Sequence, residues 1–417
     1  MPENFHIDMP EAVRNIIHTI EEHGFKAYAV GGCIRDSILG RNPDDWDITT
    51  SAVPAQIKSF FKRTIDTGIA HGTVTIMIDK TGYEVTTYRI DGEYEDGRHP
   101  KSVEFSDRLV DDLCRRDFTI NAMAYNDSDG FVDEFNGLDD LDAKIIRCVG
   151  EPELRFTEDA LRMMRAIRFS AQLGFTIDEA TWSAIKKLAP SISKISMERV
   201  HVELGKTLMS AHPDYVAEYS EAGLFEPILP VVDNALKSRY NKKILAILRH
   251  VPDNIYLRYA ALFITSTPDE AAKTLRALKL DNKTVDTVSK LVELSKIDIE
   301  ETEPAVRTAL NKYGRDFLPL WHELMMAVLQ ASEDIIGISN PAKVKHLLTL
   351  KRLATDILAR GDCFTIKDLD ISGNDLIEYG LQGHEIGETL KSLLDIVIEN
   401  PKLNDKATLI AMIEQIK

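Results

Sequence analysis

Two aspartates separated by one residue are the strongest sign of chemistry in this sequence. Asp45 and Asp47 lie in the segment 44–49, which reads DDWDIT. Alternate side chains of an extended strand share a face, so Asp45, Asp47 and Thr49 emerge on one side, with the two carboxylates roughly 6 to 7 Å apart. Two hard oxygen ligands at that spacing suit Mg²⁺. The segment therefore predicts a nucleotide and metal site.

A glycine pair precedes these aspartates. The apolar run ending at Val30 predicts a buried strand, and Gly31 and Gly32 allow a tight turn into a helix over Cys33–Leu39. Backbone N–H groups at such a turn can hold a triphosphate. A glycine pair alone is equally typical of an ordinary strand-to-helix turn, but the Asp-x-Asp motif that follows favours the phosphate site.

Glu84 is a candidate third carboxylate. The β-branched runs 72–78 and 83–89, joined by 79–82, predict a hairpin, and Glu84 lies on its second strand. If that strand joins the sheet carrying Asp45 and Asp47, Glu84 adds a ligand to a site where two metal ions support phosphoryl transfer. The alternative is a solvent-facing residue of an edge strand.

Two further clusters contain arginines. Arg115 and Arg116, followed by the segment 117–121 (DFTIN), have the donors to fix a triphosphate and a ribose hydroxyl. Alone, such a string is also typical of a solvated helix end. Downstream, the segment 158–169 predicts a helix whose polar face carries Asp159, Arg162, Arg165 and Arg168.

That helical stripe has two interpretations. One is a surface ion-pair ladder. The other is base recognition, because a carboxylate beside a guanidinium presents an acceptor next to donors. Cytosine and adenine both show an amino donor next to a ring-nitrogen acceptor, whereas guanine and uracil reverse that order. The pair would therefore accept C and A, and a mismatched base would leave buried polar groups unpaired, at a cost of about 1 to 3 kcal/mol per group.

Composition and periodicity set the architecture that must position these residues. The 417 residues are 44% hydrophobic and 28% charged, with a net charge of −17, which argues against a general nucleic-acid coat protein. Four scattered cysteines predict neither a zinc site nor a disulfide framework. No leader or membrane span is expected, so we predict a cytoplasmic location. Strand patterns dominate up to Gly150 and helical periodicity beyond it.

With these clusters in place, the sequence resembles the class II tRNA nucleotidyltransferases, the family of CCA-adding enzymes and bacterial poly(A) polymerases, and in particular their Gram-positive bacterial type. The resemblance covers most of the chain through five ordered motifs, the last of which includes Arg199 and Glu203. These are motif A from Val30 to Asp47, motif B at 115–121, motif C at 136–141, motif D at 158–169 and motif E at 196–204.

The resemblance implies an α+β fold with an N-terminal nucleotidyltransferase head, built on a small mixed β-sheet and helices, followed by an all-α neck, body and tail. We place these parts at 1–148, 149–212, 213–295 and 296–417. It implies addition of CCA to the 3′ end of tRNA from CTP and ATP, with the tRNA acceptor arm as partner and Mg²⁺ as cofactor. Asp45 and Asp47 would hold the metals, Glu84 would assist catalysis, and the residues contacting the nucleotide would be Gly32, Arg35, Arg116, Asp159, Arg162, Arg165 and Arg168.

Members of the family differ in what they add. The segment 94–100 resembles a flexible loop that CCA-adding and A-adding members carry and CC-adding members lack, which argues against CC-only addition. Addition of A alone and poly(A) synthesis stay open, as does a catalytically silent RNA-binding or nucleotide-sensing protein on the same fold. Lysines and arginines at 237–243 and 273–283 are candidate phosphate contacts. His384 stands where similar tails carry proline.

Overall fold

The computed structural model describes residues 6–92 and 102–416. The chain divides into two compact units, Met1–Pro230 and Val231–Lys417. The expected α+β class is confirmed, because the first unit contains a mixed sheet and helices follow it. The finer division into head, neck, body and tail stays a prediction.

The strands of the described residues all lie in the first unit. One sheet has the order β3-β4-β5-β2-β1-β8-β9, and β6-β7 and β10-β11 form separate pairs. The main sheet is mixed because β2 and β5 run parallel, whereas its other neighbours are antiparallel. The strands are β1 (Ala27–Val30), β2 (Ile48–Thr50), β3 (Thr64–Gly68), β4 (Thr73–Ile78), β5 (Thr81–Thr87), β6 (Arg89–Asp91), β7 (Val103–Phe105), β8 (Met123–Asn126), β9 (Gly130–Asp133), β10 (Ile145–Ile146) and β11 (Thr176–Ile177).

The expected hairpin is confirmed as β4 and β5, but its turn is shorter than the predicted 79–82. Ile78 pairs with Thr81, which leaves only Asp79 and Lys80 in the turn. Both have positive φ, 47° and 72°, and two such residues match the natural twist of antiparallel strands. Gly82 therefore belongs to β5 and not to the turn.

The apolar β1 lies inside the main sheet, between β2 and β8. All four of its residues are buried. A strand covered on both faces reads as a continuous apolar run, which explains why this segment was recognisable in the sequence. Its position brings the glycine turn after Val30 next to the residues that precede β2.

Helices complete the first unit. The C-terminal ones include α7 and α9, which pack against each other, and the apolar side chains of Met164, Ile167 and Leu204 on these helices are buried. The helices are α1 (Glu11–Glu22), α2 (Gly32–Ile38), α3 (Pro54–Phe60), α4 (Leu109–Cys114), α5 (Gly137–Ala143), α6 (Pro152–Glu158), α7 (Leu161–Leu173), α8 (Glu179–Leu188), α9 (Met197–Leu208), α10 (Val216–Glu221) and α11 (Phe225–Ile228).

The second unit is helical throughout its described part. The helical periodicity expected beyond Gly150 is confirmed in this unit, whose described secondary structure contains helices and no strand. No helix among the described residues is long and apolar enough to cross a bilayer. The helices are α12 (Pro230–Leu236), α13 (Asn241–His250), α14 (Ile255–Leu262), α15 (Pro268–Ala277), α16 (Asn282–Leu294), α17 (Glu303–Tyr313), α18 (Phe317–Ile336), α19 (Pro341–Arg360), α20 (Gly373–Glu378), α21 (His384–Glu399) and α22 (Lys406–Ile416).

Candidate active site

The two aspartates of the DDWDIT segment lie in extended backbone just before β2. Asp45 and Asp47 are exposed, whereas Trp46 and Ile48 are buried, so the two carboxylates share the solvent face as strand alternation requires. The carbonyl oxygen of Asp47 accepts a hydrogen bond from the backbone N–H of Val30 at 3.0 Å. This bond holds the aspartates beside the glycine turn.

Thr49, next on that face by the same alternation, is fully buried. Its hydroxyl donates to a carboxylate oxygen of Asp112 at 3.0 Å and to the carbonyl oxygen of Thr86 at 3.2 Å. The burial arises because α4 and β5 both contact β2 here. Thr49 therefore fixes the strand internally, and only the two aspartates face solvent.

Glu84 comes next to the aspartates through the parallel pairing of β2 with β5. Ile48 is in register with Val85, so Glu84 continues the register opposite Asp47. The Glu84 side chain is exposed, and its pKa is raised by partial loss of hydration and then by the charges of Asp47 and Asp45. The strand order thus brings together the three carboxylates, which we call the carboxylate edge (Asp45, Asp47 and Glu84).

The charges of this edge are not neutralised by the protein. The pKa of Asp47 is raised, first because surrounding protein atoms reduce its hydration although the residue keeps water-accessible surface. The charge of Asp45 raises this pKa further, and Arg116 partly opposes the shift. Within the described residues, no cationic side chain lies within 4.0 Å of these three carboxylates. Excess negative charge therefore remains at the edge.

The donor chemistry of the edge fits a divalent metal ion. Carboxylate oxygens are the ligands that hard cations prefer, and a cation would relieve the like-charge repulsion between Asp45 and Asp47. Among the described residues, no three His, Cys, Asp or Glu side chains already form a complete metal-binding group. Two ligands can come from Asp45 and Asp47, with the remainder from water or substrate, and a direct ligand role for Glu84 stays a prediction.

The glycine turn links the edge to motif B. Gly31 has a φ of 85°, and its N–H donates to the carbonyl oxygen of Met123 at 3.1 Å. A Cβ placed on Gly31 would lie 2.8 Å from Nη1 of Arg116, so a side chain there would displace the guanidinium. Gly32 begins α2, one residue earlier than expected, and Gly40 follows its end with a φ of 69°.

Arg116 is oriented by the buried Asp112. The Asp112 carboxylate accepts hydrogen bonds from Arg115 at 2.7 and 2.8 Å and from Nη2 of Arg116 at 3.3 Å. Burial alone would raise the pKa of Asp112, but the two guanidiniums and the Thr49 hydroxyl outweigh it and lower the pKa. Nε of Arg116 is buried and has no hydrogen-bond partner among the described residues. That nitrogen is a donor without an acceptor, close to the carboxylate edge.

Arg35 is brought to the same region but is largely enclosed. It is 8% exposed, and its guanidinium donates to both carboxylate oxygens of Asp36 and to the side-chain oxygen of Asn121 at 2.6 Å. The guanidinium also lies 5.0 Å from the centre of the Phe169 ring. Its partners come from α2, motif B and α7, so Arg35 connects three of the motifs.

Asp159 and Arg162 have different partners from those that the sequence indicated. Asp159 lies between α6 and α7, because α7 begins only at Leu161. Its carboxylate accepts two hydrogen bonds from Arg199, at 2.6 and 3.2 Å. Arg162 instead donates to Glu158 at 2.5 Å and to the carbonyl oxygen of Arg115 at 2.9 Å. The acceptor beside a guanidinium is therefore present in this structure as the Asp159–Arg199 pair.

Arg165 and Arg168 are both ion-paired, Arg168 as a buried residue of α7 and Arg165 as a partly exposed one. Nε of Arg165 donates to Asp117 at 2.7 Å, and Nε of Arg168 donates to Glu203. Burial lowers the pKa of Arg168, Glu203 opposes this shift and the charge of Arg165 adds to it. The Arg165 and Arg168 guanidiniums lie 5.3 and 3.8 Å from the centre of the Phe169 ring, within cation–π range.

We call these paired groups the ion-pair cluster, defined by three carboxylates and three guanidiniums from motifs B, D and E. The pKa of Asp117 is lowered because Arg165 and a hydrogen bond from Asn121 outweigh its complete burial. The charges of the cluster balance one another. Its members are Asp117, Asp159, Arg165, Arg168, Arg199 and Glu203.

The sequence pattern did not assign roles to the partners of these residues. Arg199 and Glu203 are four residues apart on α9, a spacing that places them on one side of a helix, and Val200 and Leu204 beside them are buried. Charged residues next to core positions are a usable signal. Their partners, Asp159 before α7 and Arg168 on α7, had no such signal in the sequence, because these pairs form only when the two segments pack together. Asp112 and Asp117 were likewise only part of a charged string.

Some residues that the sequence analysis singled out are not part of this site. The segment 94–100 falls outside the described residues. Lys237, a candidate phosphate contact, forms an ion pair with Asp233 at 2.8 Å. His384 begins α21 directly after Gly383, which has a φ of 56°, so the structure turns there without proline. The roles of these residues in RNA binding stay predictions.

Three protein-family models match successive parts of the chain. Residues 27–147 match the model of the poly A polymerase head domain, 174–236 that of the probable RNA and SrmB-binding site of polymerase A, and 254–413 that of tRNA nucleotidyltransferase domain 2. A CCA-adding enzyme of Pediococcus pentosaceus is 34% identical over 100% of this chain and 99% of its own length. A CCA-adding enzyme of Levilactobacillus brevis is 36% identical over 99% and 98%.

A solved structure has the same fold. The CCA-adding enzyme of Bacillus stearothermophilus, crystallised in complex with CTP, is 32% identical and matches 97% of this chain and 96% of its own, with a TM-score of 0.75. The mixed sheet, its carboxylate edge and the head-domain match define the protein as a nucleotidyltransferase. The similarity extends across nearly the full length of these two relatives and of the solved structure. The chain belongs to the family of CCA-adding enzymes.

Proposed function

We propose that this chain adds the sequence CCA to the 3′ end of tRNA, using CTP and ATP and releasing pyrophosphate. The observation that carries the proposal is the un-neutralised carboxylate edge next to the Gly31 turn and Arg116, in a chain similar over its whole length to CCA-adding enzymes. The tRNA 3′ hydroxyl would attack the α-phosphorus of each nucleotide. Since tRNA is processed inside the cell, we also infer a cytoplasmic location.

The proposed cofactor is Mg²⁺, held by Asp45 and Asp47 with assistance from Glu84. When bound, such ions lower the pKa of a coordinated hydroxyl and neutralise charge on phosphate oxygens. The three carboxylates fit this role because they are exposed, mutually repelling and free of cationic partners within the described residues. Their backbone is fixed by the pairing of Asp47 with Val30.

The triphosphate would bind between the glycine turn and Arg116. Gly31 and Gly32 let the backbone approach without a side chain, and the buried Nε of Arg116 is a donor that still needs an acceptor. A phosphate oxygen satisfies that donor with a charge-assisted hydrogen bond. Asp112 holds the guanidinium from the opposite side, so Arg116 loses little conformational entropy when a nucleotide arrives.

The base would be read at the start of α7. Asp159, Arg162 and Arg165 project from one short stretch, and Arg199 holds the Asp159 carboxylate with two hydrogen bonds. An acceptor and donors held rigidly side by side match the Watson–Crick edges of C and A. Arg168, through Glu203, and Arg35, through Asp36 and Asn121, would fix the walls of this site.

The deciding experiment uses tRNA lacking its last three nucleotides. The purified chain is incubated with CTP alone, ATP alone and both together, and the products are resolved at single-nucleotide length. We expect two additions with CTP and three with both nucleotides. A second tRNA that already ends in CC is incubated with the same nucleotides. Addition of one A to this second tRNA, with no use of CTP on the shorter one, indicates an A-adding enzyme, and unlimited tailing with ATP indicates poly(A) synthesis. No product under any condition contradicts the proposal and favours a silent RNA-binding protein.

A further inference from the structure

A cavity of about 90 Å³ lies among α17, α18 and α19 in the second unit. Its inner wall is apolar, and Val306, Trp321, Leu350 and Ala354 are each at most 6% exposed. A water molecule needs about 10 to 15 Å³ on this scale, so the space accepts roughly six or more heavy atoms of a compact ligand. The indole N–H of Trp321 already donates to the carbonyl oxygen of Leu294 at 3.1 Å and is not available to a ligand.

One buried polar atom at this cavity lacks a partner. His322 lines the cavity and is 8% exposed, and its Nε2 is buried without a hydrogen-bond partner among the described residues. Burial lowers the pKa of His322, and the charge of Lys351 lowers it further, so the imidazole is neutral at pH 7. A neutral imidazole donates one hydrogen bond and accepts another. An unpaired buried nitrogen of this kind is costly unless something binds it.

The exposed side of the cavity carries one cationic side chain and one hydroxyl. Pro319, Lys351 and Thr355 line it and are exposed. Lys351 and His322 line the same cavity, and the charge of Lys351 is one of the causes that lower the pKa of His322. A cavity with apolar walls inside and hydrogen-bond donors at one end matches a molecule with an apolar body and one anionic group. Water matches the interior poorly, because a buried water needs two to four polar partners and the inner wall is apolar.

We propose that this cavity binds a small monocarboxylate with an aromatic or aliphatic body. The apolar body occupies the space against Leu350 and Ala354, and the carboxylate lies at the opening, where Lys351 and His322 donate to it. The ligand of this cavity differs from those of nucleotide addition, which requires a triphosphate and a metal ion.

Ligand-observed NMR with the full-length chain tests the proposal, using benzoate as the probe and benzylammonium as a ring of matched size and opposite charge. We expect benzoate to bind with a Kd of order 10 mM or tighter, as its few heavy atoms allow, and benzylammonium at least about fivefold more weakly. Ala354→Phe fills the cavity and should abolish binding, and Ala354→Leu replaces it if the larger side chain prevents folding.

Two charge variants test the opening. Lys351→Gln should weaken benzoate by about threefold or more, whereas Lys345→Gln, an exposed residue of the same helix outside the cavity, should leave binding unchanged. His322→Leu should raise the melting temperature of the ligand-free protein while weakening benzoate, a combination that a purely structural histidine would not give.

Three results would overturn the proposal. These are absence of benzoate binding, equal binding to the wild type and to the folded Ala354 variant, and equal binding of benzoate and benzylammonium. A concentration-dependent rise in molecular mass that Lys351→Gln or Ala354→Leu abolishes would instead assign this face to a second copy of the chain.

Discussion

At the carboxylate edge three acidic side chains face solvent, and none of the described residues places a cationic side chain within ion-pair distance of them. In the ion-pair cluster, by contrast, every carboxylate has a guanidinium partner. The pKa of Asp47 and that of Glu84 are raised, and the pKa of Asp117 is lowered. The opposite directions distinguish two kinds of charged site. The uncompensated negative charge of the carboxylate edge favours binding of a cation there. The balanced charges of the ion-pair cluster hold neighbouring segments in position.

The largest effect is expected when one carboxylate of the carboxylate edge is replaced by an amide. Asp45→Asn and Asp47→Asn should each lower the rate of nucleotide addition by about 10³-fold or more, because the loss of a metal ligand removes several kcal/mol of transition-state stabilisation. The measurement is single-turnover addition of C to truncated tRNA. Thermal stability should be unchanged or slightly higher, since a repelling charge is lost. Asp66→Asn, an exposed ion-paired aspartate of β3, is the control, and activity above one tenth of wild type in the first two variants would contradict the assignment.

The reverse result is expected for the ion-pair cluster. Glu203→Gln leaves the buried guanidinium of Arg168 without its counter-charge and should destabilise the protein by about 3 kcal/mol, as breaking a buried pair commonly does. Urea denaturation followed by circular dichroism measures the loss. Glu198→Gln changes an exposed residue of the same helix and should cost little. If the two variants unfold at the same urea concentration, the cluster does not hold the structure.

A smaller effect should separate positioning from stability within the cluster. Arg199→Lys keeps the charge but loses the two-bond contact with Asp159. We expect kcat/KM for CTP and ATP to fall together by about tenfold and misincorporation of UTP or GTP to rise, because a less fixed carboxylate reads the base less strictly. Lys206→Arg on the same helix serves as the control. Unchanged nucleotide selectivity would remove Arg199 from this role.

The smallest expected effect concerns Glu218, which lies outside the ion-pair cluster and has a raised pKa like those of Asp47 and Glu84. Burial, followed by the charges of Glu221 and Asp214, raises the pKa of Glu218 from 4.5 to about 7. A carboxyl with a raised folded-state pKa stabilises the fold fully below about pH 4.5, and this contribution is lost as the pH rises through 7. Glu218→Gln should therefore be more stable than wild type by about 1 kcal/mol above pH 7, after allowance for partial exposure, and equal to it near pH 4.

Thermal unfolding at several pH values measures this difference. Glu323→Gln, an exposed glutamate in the middle of α18, should show no such trend. If Glu218→Gln is more stable than the wild type by the same amount at pH 4 and pH 8, the charge of Glu218 is not the cause of the added stability.

Much of the edge was predictable because it depends on local pattern. The alternation in DDWDIT placed Asp45 and Asp47 on one face, and the β-branched runs gave the β4–β5 hairpin. The position of Glu84 was only conditional, because the parallel pairing of β2 with β5 joins segments more than thirty residues apart. No local pattern specifies which strands become neighbours.

The ion-pair cluster was less predictable for the same physical reason. Asp159, Arg162 and Arg165 were recognised as a group, but the expected helix began at 158 and Asp159 lies before the observed one. Its partner Arg199 is 40 residues away, and Asp117 reaches Arg165 across 48. Ion pairs of this range are selected by how helices and strands pack, which a short window of sequence does not contain.

The Phe169 ring, with guanidiniums from Arg35, Arg165 and Arg168 around it, has a consequence for exchanging parts between relatives. Arg35 belongs to α2 and the other two belong to α7, so one ring is shared by segments that any crossover near residue 150 would separate. A hybrid made at that point must inherit both sets of contacts or rebuild them. A substitution in either segment that moves the ring or a guanidinium therefore alters a contact of the other segment.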